Sequence, residues 1–98
     1  MLTSYGNDGL TFDVADSGGD GEAVLLLHGF PQSRTCWDGL TPHLVDAGYR
    51  VLAPDQRGYS PGARPRRRRD YAADLLIGDV LALANEAGAD RFHVVGHD

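Results

Sequence analysis

Between residues 10 and 15 apolar and polar side chains alternate, with Leu10, Phe12 and Val14 on one side. That is strand periodicity with one buried face. Asn7-Asp8-Gly9 just before it is a turn signal, so Leu2 to Gly6 and Leu10 to Asp16 read as a hairpin. After a Gly- and Asp-rich loop, Ala23 to Leu27 is continuously apolar, which suits a strand covered on both faces, as in a parallel sheet. Thr41-Pro42 reads as an N-cap followed by proline at the first helical position, with Leu44, Val45 and Ala47 behind it and Gly48 as the stop. Tyr49 to Ala53 is the next strand. A polar loop from Gln56 to Arg69 leads to Asp70, which can cap a helix. Ala73, Ile77, Val80, Ala84 and Ala87 then recur at steps of four and three, which predicts one buried helical face, and Gly88 ends it. Phe92-His93-Val94-Val95 is the last strand and runs into Gly96-His97-Asp98.

The order is hairpin, strand, helix, strand, helix, strand. Such alternation defines the α/β class, with parallel strands joined by crossover helices. In open sheets of this kind ligands bind beyond the carboxyl ends of the strands. Three such ends lie in the chain: His28-Gly29-Phe30-Pro31, Pro54-Asp55-Gln56-Arg57-Gly58, and Gly96-His97-Asp98.

Composition narrows the function classes. The chain has 98 residues, enough for one small domain, and is 42% hydrophobic and 23% charged, as folded proteins are. Its 14 acidic and 9 basic residues give a net charge of −5. That balance argues against nucleic acid or an anionic membrane surface as a partner. Five of the arginines stand together in Arg64-Pro65-Arg66-Arg67-Arg68-Arg69. The run has no interleaved aromatics for base stacking and reads as a solvated loop partly neutralised by Asp70 and Asp74. The lone Cys36 has no partner for an internal disulfide. No signal peptide or membrane-length apolar run is legible, so the expected location is the cytoplasm. No His/Cys spacing for a metal and no Walker-type phosphate loop is present, so neither metal nor cofactor is expected. The oligomeric state is not legible.

Two strand ends carry candidate chemistry. Gly96-His97-Asp98 matches the first three positions of a nucleophile elbow, a sharp strand-to-helix turn with a glycine before the reactive residue. Taken alone, the tripeptide reads more simply as a helix N-cap. In the loop after the most apolar strand, Phe30 can offer a backbone N–H to an oxyanion hole, which Pro31 cannot. His28, at a strand end with no partner in sequence, reads as a hydrogen-bonded, semi-buried residue rather than a base.

Together these ends, with room for two strand–helix units between them, carry a resemblance. The run Leu25-Leu26-Leu27-His28-Gly29-Phe30-Pro31-Gln32-Ser33 resembles the opening motif of epoxide hydrolases and their dehalogenase relatives in the α/β-hydrolase superfamily. Trp37, Ala47-Gly48-Tyr49-Arg50-Val51, Ala53-Pro54-Asp55-Gln56-Arg57-Gly58-Tyr59-Ser60 and Phe92 to Asp98 are similar in order and spacing. The resemblance covers nearly the whole chain. It implies the N-terminal part of an α/β-hydrolase domain over residues 1–98, ending at the nucleophile elbow. It implies Asp98 as nucleophile, Phe30 as an oxyanion-hole donor, a cis bond at Pro31, and an architectural loop around Asp55 and Arg57. The acid and base partners of the nucleophile would fall beyond residue 98.

An aspartate in that place changes the substrate class. A carboxylate attacking an acyl carbon gives a mixed anhydride, whereas at a saturated carbon it gives an alkyl ester. Small-molecule epoxides and carbon–halogen bonds are such substrates. The leading expectation is a cofactor-free hydrolase that opens epoxides through an alkyl-enzyme ester and is inactive as the 98-residue chain. A haloacetate or haloalkane dehalogenase is the alternative, Phe30 favouring the former of the two. A non-catalytic fragment or pseudo-enzyme is a third.

Overall fold

The structure, a computed structural model, describes residues 1–96. Strands β1 (Ser4–Asn7) and β2 (Leu10–Asp16) form the expected hairpin, with β1 placed slightly later than the sequence suggested. Asp8 and Gly9 both take positive φ, 55° and 74°, which is the backbone of a two-residue type I′ turn. The alternation in β2 is real: Phe12 and Val14 are buried, and Asp16 follows them onto the same face. Tyr5 stacks on Phe12 across the ladder, ring centroids 4.9 Å apart.

β3 (Ala23–Leu27) and β4 (Arg50–Pro54) pair in parallel, and β5 (Phe92–Gly96) pairs in parallel with β3 on its other side. β2 meets β4 antiparallel, so the sheet runs β1-β2-β4-β3-β5. The chain is thus α/β, with the hairpin added to one edge of a parallel set.

Each face of the sheet carries one helix and one core. Ala23 and Leu25 of β3 join Phe12, Val14 and Leu52 beneath α2 (Ala73–Glu86), which contributes Leu83 and Ala84. Val24 and Leu26 join Val51, Ala53 and Trp37 on the opposite face, with Leu44 of α1 (Thr41–Asp46) packed against them. β3 therefore sends alternate residues into two cores, which is why its sequence is apolar throughout. Each fully buried leucine contributes roughly 1.5–3 kcal/mol by leaving water. The segments that enter β3 and β4 touch closely at the amino ends of these strands: a Cβ on Gly21 would lie 1.7 Å from the Gly48 carbonyl oxygen, so only glycine fits there.

Three local expectations are corrected. Thr41 does not cap α1; it is the first helical residue, and its hydroxyl donates to the Trp37 carbonyl (3.0 Å) because a 3₁₀ turn over Arg34–Trp37 already leads the chain into the helix. Asp70 does not cap α2 either. It lies in a 3₁₀ turn, Arg68–Tyr71, and α2 begins after an extended Ala72 with no side-chain cap. The expected face of α2 holds only in its C-terminal part: Ala84 is buried and Val80 and Ala87 pack against the same core, whereas Ala73 is exposed and Ile77 is 60% exposed, and Asp79 and Leu83 point inward as well. Asp79 shares this inner face because its carboxylate meets the buried guanidinium of Arg57.

Candidate active site

The parallel strands β4, β3 and β5 deliver their carboxyl ends to one side of the sheet. Leu27, the last residue of β3, is in register with Gly96, the last of β5. The His28–Pro31 loop thus leaves β3 at the level where the chain leaves β5. Asp98, the expected nucleophile, lies outside the described residues.

The loop after β3 is a tight turn. The Gln32 N–H donates to the Gly29 carbonyl at 2.8 Å, and the Phe30–Pro31 bond inside the turn is cis, as the resemblance implied. The Phe30 side chain is 82% exposed. Among the described residues no acceptor takes the Phe30 N–H.

His28 is buried, in keeping with the structural reading of it. Its Nε2 accepts the backbone N–H of Gln56 (3.1 Å), and its Nδ1 lies 3.1 Å from the Gly29 carbonyl oxygen. A backbone N–H can only donate, so Nε2 is the lone-pair nitrogen and the ring proton sits on Nδ1, facing that carbonyl. The Gln56 side-chain amide donates in turn to the His28 carbonyl. Tyr59 packs against the imidazole edge-to-face, centroids 4.5 Å apart.

Asp55 and Arg57 each tie the loop through charge-assisted hydrogen bonds, with different partners. The Asp55 carboxylate accepts the Arg34 backbone N–H (2.7 Å) and is ion-paired with the Arg34 guanidinium, which anchors the chain leaving the Phe30 turn. Its backbone carbonyl accepts the Ser60 hydroxyl (2.6 Å), which also accepts the Asp13 N–H (3.0 Å). Arg57 turns the other way and forks onto Asp79 of α2, with a further bond to the Asp70 carbonyl at 2.7 Å. Gln56, Arg34 and Asp79 were not singled out in the sequence. The signal for Asp79 was present, since a carboxylate on the inner face of an amphipathic helix needs a buried cation.

Other polar features lie elsewhere. A groove lined by Glu22, Arg91, Phe92 and His93 opens where β3 and β5 begin, at the opposite end of the sheet from Phe30, and there His93 bonds Glu22 at 2.8 Å. The arginines of the 64–69 run lie on the surface, where Arg64 bonds the Tyr59 carbonyl at 2.9 Å. Cys36 is exposed. Among the described residues no cluster of three or more His, Cys, Asp or Glu is placed to hold a metal ion, and no helix is long and apolar enough to cross a membrane.

Parallel strands in this order, with a tight cis-proline turn leaving β3 at the level where β5 ends, define an α/β-hydrolase framework. The family model for the alpha/beta hydrolase fold matches residues 22–98, and the chain belongs to that family. Within the family it is similar to the epoxide hydrolase-like branch. Epoxide hydrolase B of Mycobacterium tuberculosis is 47% identical over 87 residues, 87% of this chain and 24% of the relative. The AB hydrolase superfamily protein YfhM of Bacillus subtilis is 42% identical over 93% of this chain and 32% of its own length. Among solved structures, epoxide hydrolase A from Mycobacterium thermoresistibile superposes with a TM-score of 0.91 at 38% identity, over 97% of this chain and 30% of that one. The chain therefore spans about a quarter to a third of the length of these relatives.

Proposed function

We propose that residues 1–98 are the N-terminal portion of a single α/β-hydrolase domain in an enzyme that hydrolyses small-molecule epoxides, with Asp98 as nucleophile and the Phe30 N–H as a donor to the oxyanion. The observation that carries this reading is the Phe30 N–H in the turn after β3, which no acceptor takes among the described residues, with Leu27 in register with Gly96, two residues before Asp98 in sequence. The names of the relatives support the substrate class.

The chemistry proceeds in two steps. A carboxylate oxygen of Asp98 attacks an epoxide carbon. The ring C–O bond breaks, and the ring oxygen leaves as an alkoxide that takes a proton from an acid. Water, giving a proton to a base, then adds to the carbonyl of the new ester. The tetrahedral oxyanion collapses, releasing the diol and restoring the carboxylate. The oxyanion of the second step sits on the aspartate itself, where a backbone N–H stabilises it; losing one such donor typically costs ~10²–10³ in rate.

The base is not one of the described histidines. The His28 lone pair is occupied by the Gln56 N–H, His43 lies on α1, and His93 faces Glu22 at the far end of the sheet. Assayed alone, the 98-residue chain is accordingly expected to give no multiple turnover.

One turnover of the full-length enzyme in ¹⁸O water, with enzyme in excess, tests the reading. The label is expected in the peptide holding Asp98 and not in the diol. Label in the diol alone would make Asp98 an activator of water rather than a nucleophile, even if Asp98→Asn is inactive.

A further inference from the structure

The Gly29 carbonyl and the Phe30 N–H belong to one peptide unit. That unit is trans, since the only cis bond among the described residues is the next one, Phe30–Pro31. In a trans peptide the C=O and N–H point to opposite edges of one plane. Whatever fixes the direction of the Gly29 carbonyl therefore fixes the direction of the Phe30 N–H.

Two donors converge on that carbonyl: the Gln32 N–H at 2.8 Å and the His28 Nδ1–H at 3.1 Å. The second exists only in the Nδ1-protonated tautomer, and that tautomer is set by the Gln56 N–H on Nε2. Gln56 also holds the His28 carbonyl through its side chain, so the peptide units on both sides of Gly29 are pinned by hydrogen bonds. The Tyr59 ring against the imidazole resists rotation of the ring, and burial of His28 keeps water from replacing it as donor. Donors on a carbonyl also polarise its amide, which strengthens the N–H opposite as a donor.

We propose that His28, with its tautomer set by Gln56, is a positioning residue: it locks the Gly29–Phe30 peptide plane so that the Phe30 N–H points outward and free. The inference rests on the reading of Phe30 as the oxyanion donor, but the clamp itself can be measured without any reaction. It assigns a role in the ester-hydrolysis step to a residue that touches neither substrate nor oxyanion.

Two measurements decide it. Long-range ¹H–¹⁵N correlation on the histidine-labelled full-length enzyme near neutral pH should show the His28 proton on Nδ1. A proton on Nε2 overturns the clamp whatever the reaction is, and this readout needs no variant. In the full-length enzyme, rapid quench should then separate ester formation from ester hydrolysis. His28→Leu is expected to leave ester formation within ~3-fold and to slow hydrolysis ~10–100-fold, below the ~10²–10³ cost of losing the donor outright, so that ester accumulates. His28→Asn, whose amide can donate near the Nδ1 position, should recover most of the loss. Equal slowing of both steps by His28→Leu, no slowing of either, or no recovery in His28→Asn overturns the proposal. Absence of any ester in the unsubstituted enzyme instead removes the nucleophile reading and leaves the tautomer result standing.

Discussion

Arg57 grips Asp79 through both carboxylate oxygens, Nε to Oδ2 at 2.9 Å and Nη2 to Oδ1 at 2.8 Å, with both side chains almost wholly out of water. The pair joins the loop after β4 to α2, and Asn7 of β1 adds a third element by donating to Asp79 at 2.9 Å. Removing Asp79 leaves the buried Arg57 guanidinium with only the exposed Asp8 carboxylate, at 3.3 Å, and the Asp70 carbonyl. Asp79→Ala is expected to cost ~3–5 kcal/mol in urea unfolding, whereas the double variant Arg57→Met with Asp79→Leu should recover much of that loss, because two apolar side chains leave no unpaired charge. Additive losses in the double variant would contradict this account.

A second ion pair makes a prediction about acid. Burial works to raise the Asp16 pKa. The hydrogen bonds from Arg50, Leu2 and Gly18, with the Arg50 charge, outweigh it and hold the carboxyl at about 2, below its ordinary 3.8. A depressed folded-state pKa means that the stabilisation is present above pH 3.8 and is lost as pH falls through about 2. Its size at neutral pH is ~2 kcal/mol. Asp16→Asn should therefore be less stable at pH 7 and should lose less further stability between pH 4 and 2, measured by unfolding across that range.

Phe30 separates a side chain from a backbone. Because its ring is largely in solvent and the proposed donor is its N–H, Phe30→Leu should change folding stability by less than ~0.5 kcal/mol. In the full-length enzyme the same variant should retain ester hydrolysis within ~3-fold, a small fraction of the ~10²–10³ that loss of a donor costs. A large fall in hydrolysis with unchanged ester formation would mean that the ring, and not the N–H, does the work.

β5 is an edge strand whose residues His93 to Gly96 are exposed, with Val94 at 52% and Val95 at 41%; Ile77 and Leu81 of α2 are also in solvent. An unprotected edge with apolar side chains invites pairing between chains. The 98-residue chain is expected to sediment above monomer mass, and Val94→Lys should shift it toward monomer. A monomeric chain with a cooperative thermal transition above ~60 °C would count against this.

What could be read from sequence was local. The hairpin came from Asn7-Asp8-Gly9 and the alternation behind it, because turn chemistry and period-two burial act over a few residues. β3 was legible because both its faces are covered. The cis bond at Pro31 came from the resemblance. What was not legible depended on partners far along the chain. Arg57 pairs with Asp79 of α2 and not with Asp55, its neighbour in sequence, which puts a carboxylate on the inner face of the helix. Asp55 was claimed by Arg34, and His28 by Gln56, in each case across the gap between β3 and β4. Thr41 and Asp70 looked like caps because cap signals ignore a 3₁₀ turn arriving from upstream.

The strand order carries a kinetic consequence. β2 and β3 are joined directly by the loop over residues 17–22, yet β4 lies between them in the sheet. Neighbours in sequence must therefore stay apart until a later segment slides into the slot. The hairpin can zip within microseconds on its own. The slot cannot close before residue 54 has been made, and closing it bridges a long loop whose entropy must be met before the two new ladders return anything. Folding of this sheet is thus expected to be gated by one insertion event, the docking of β4.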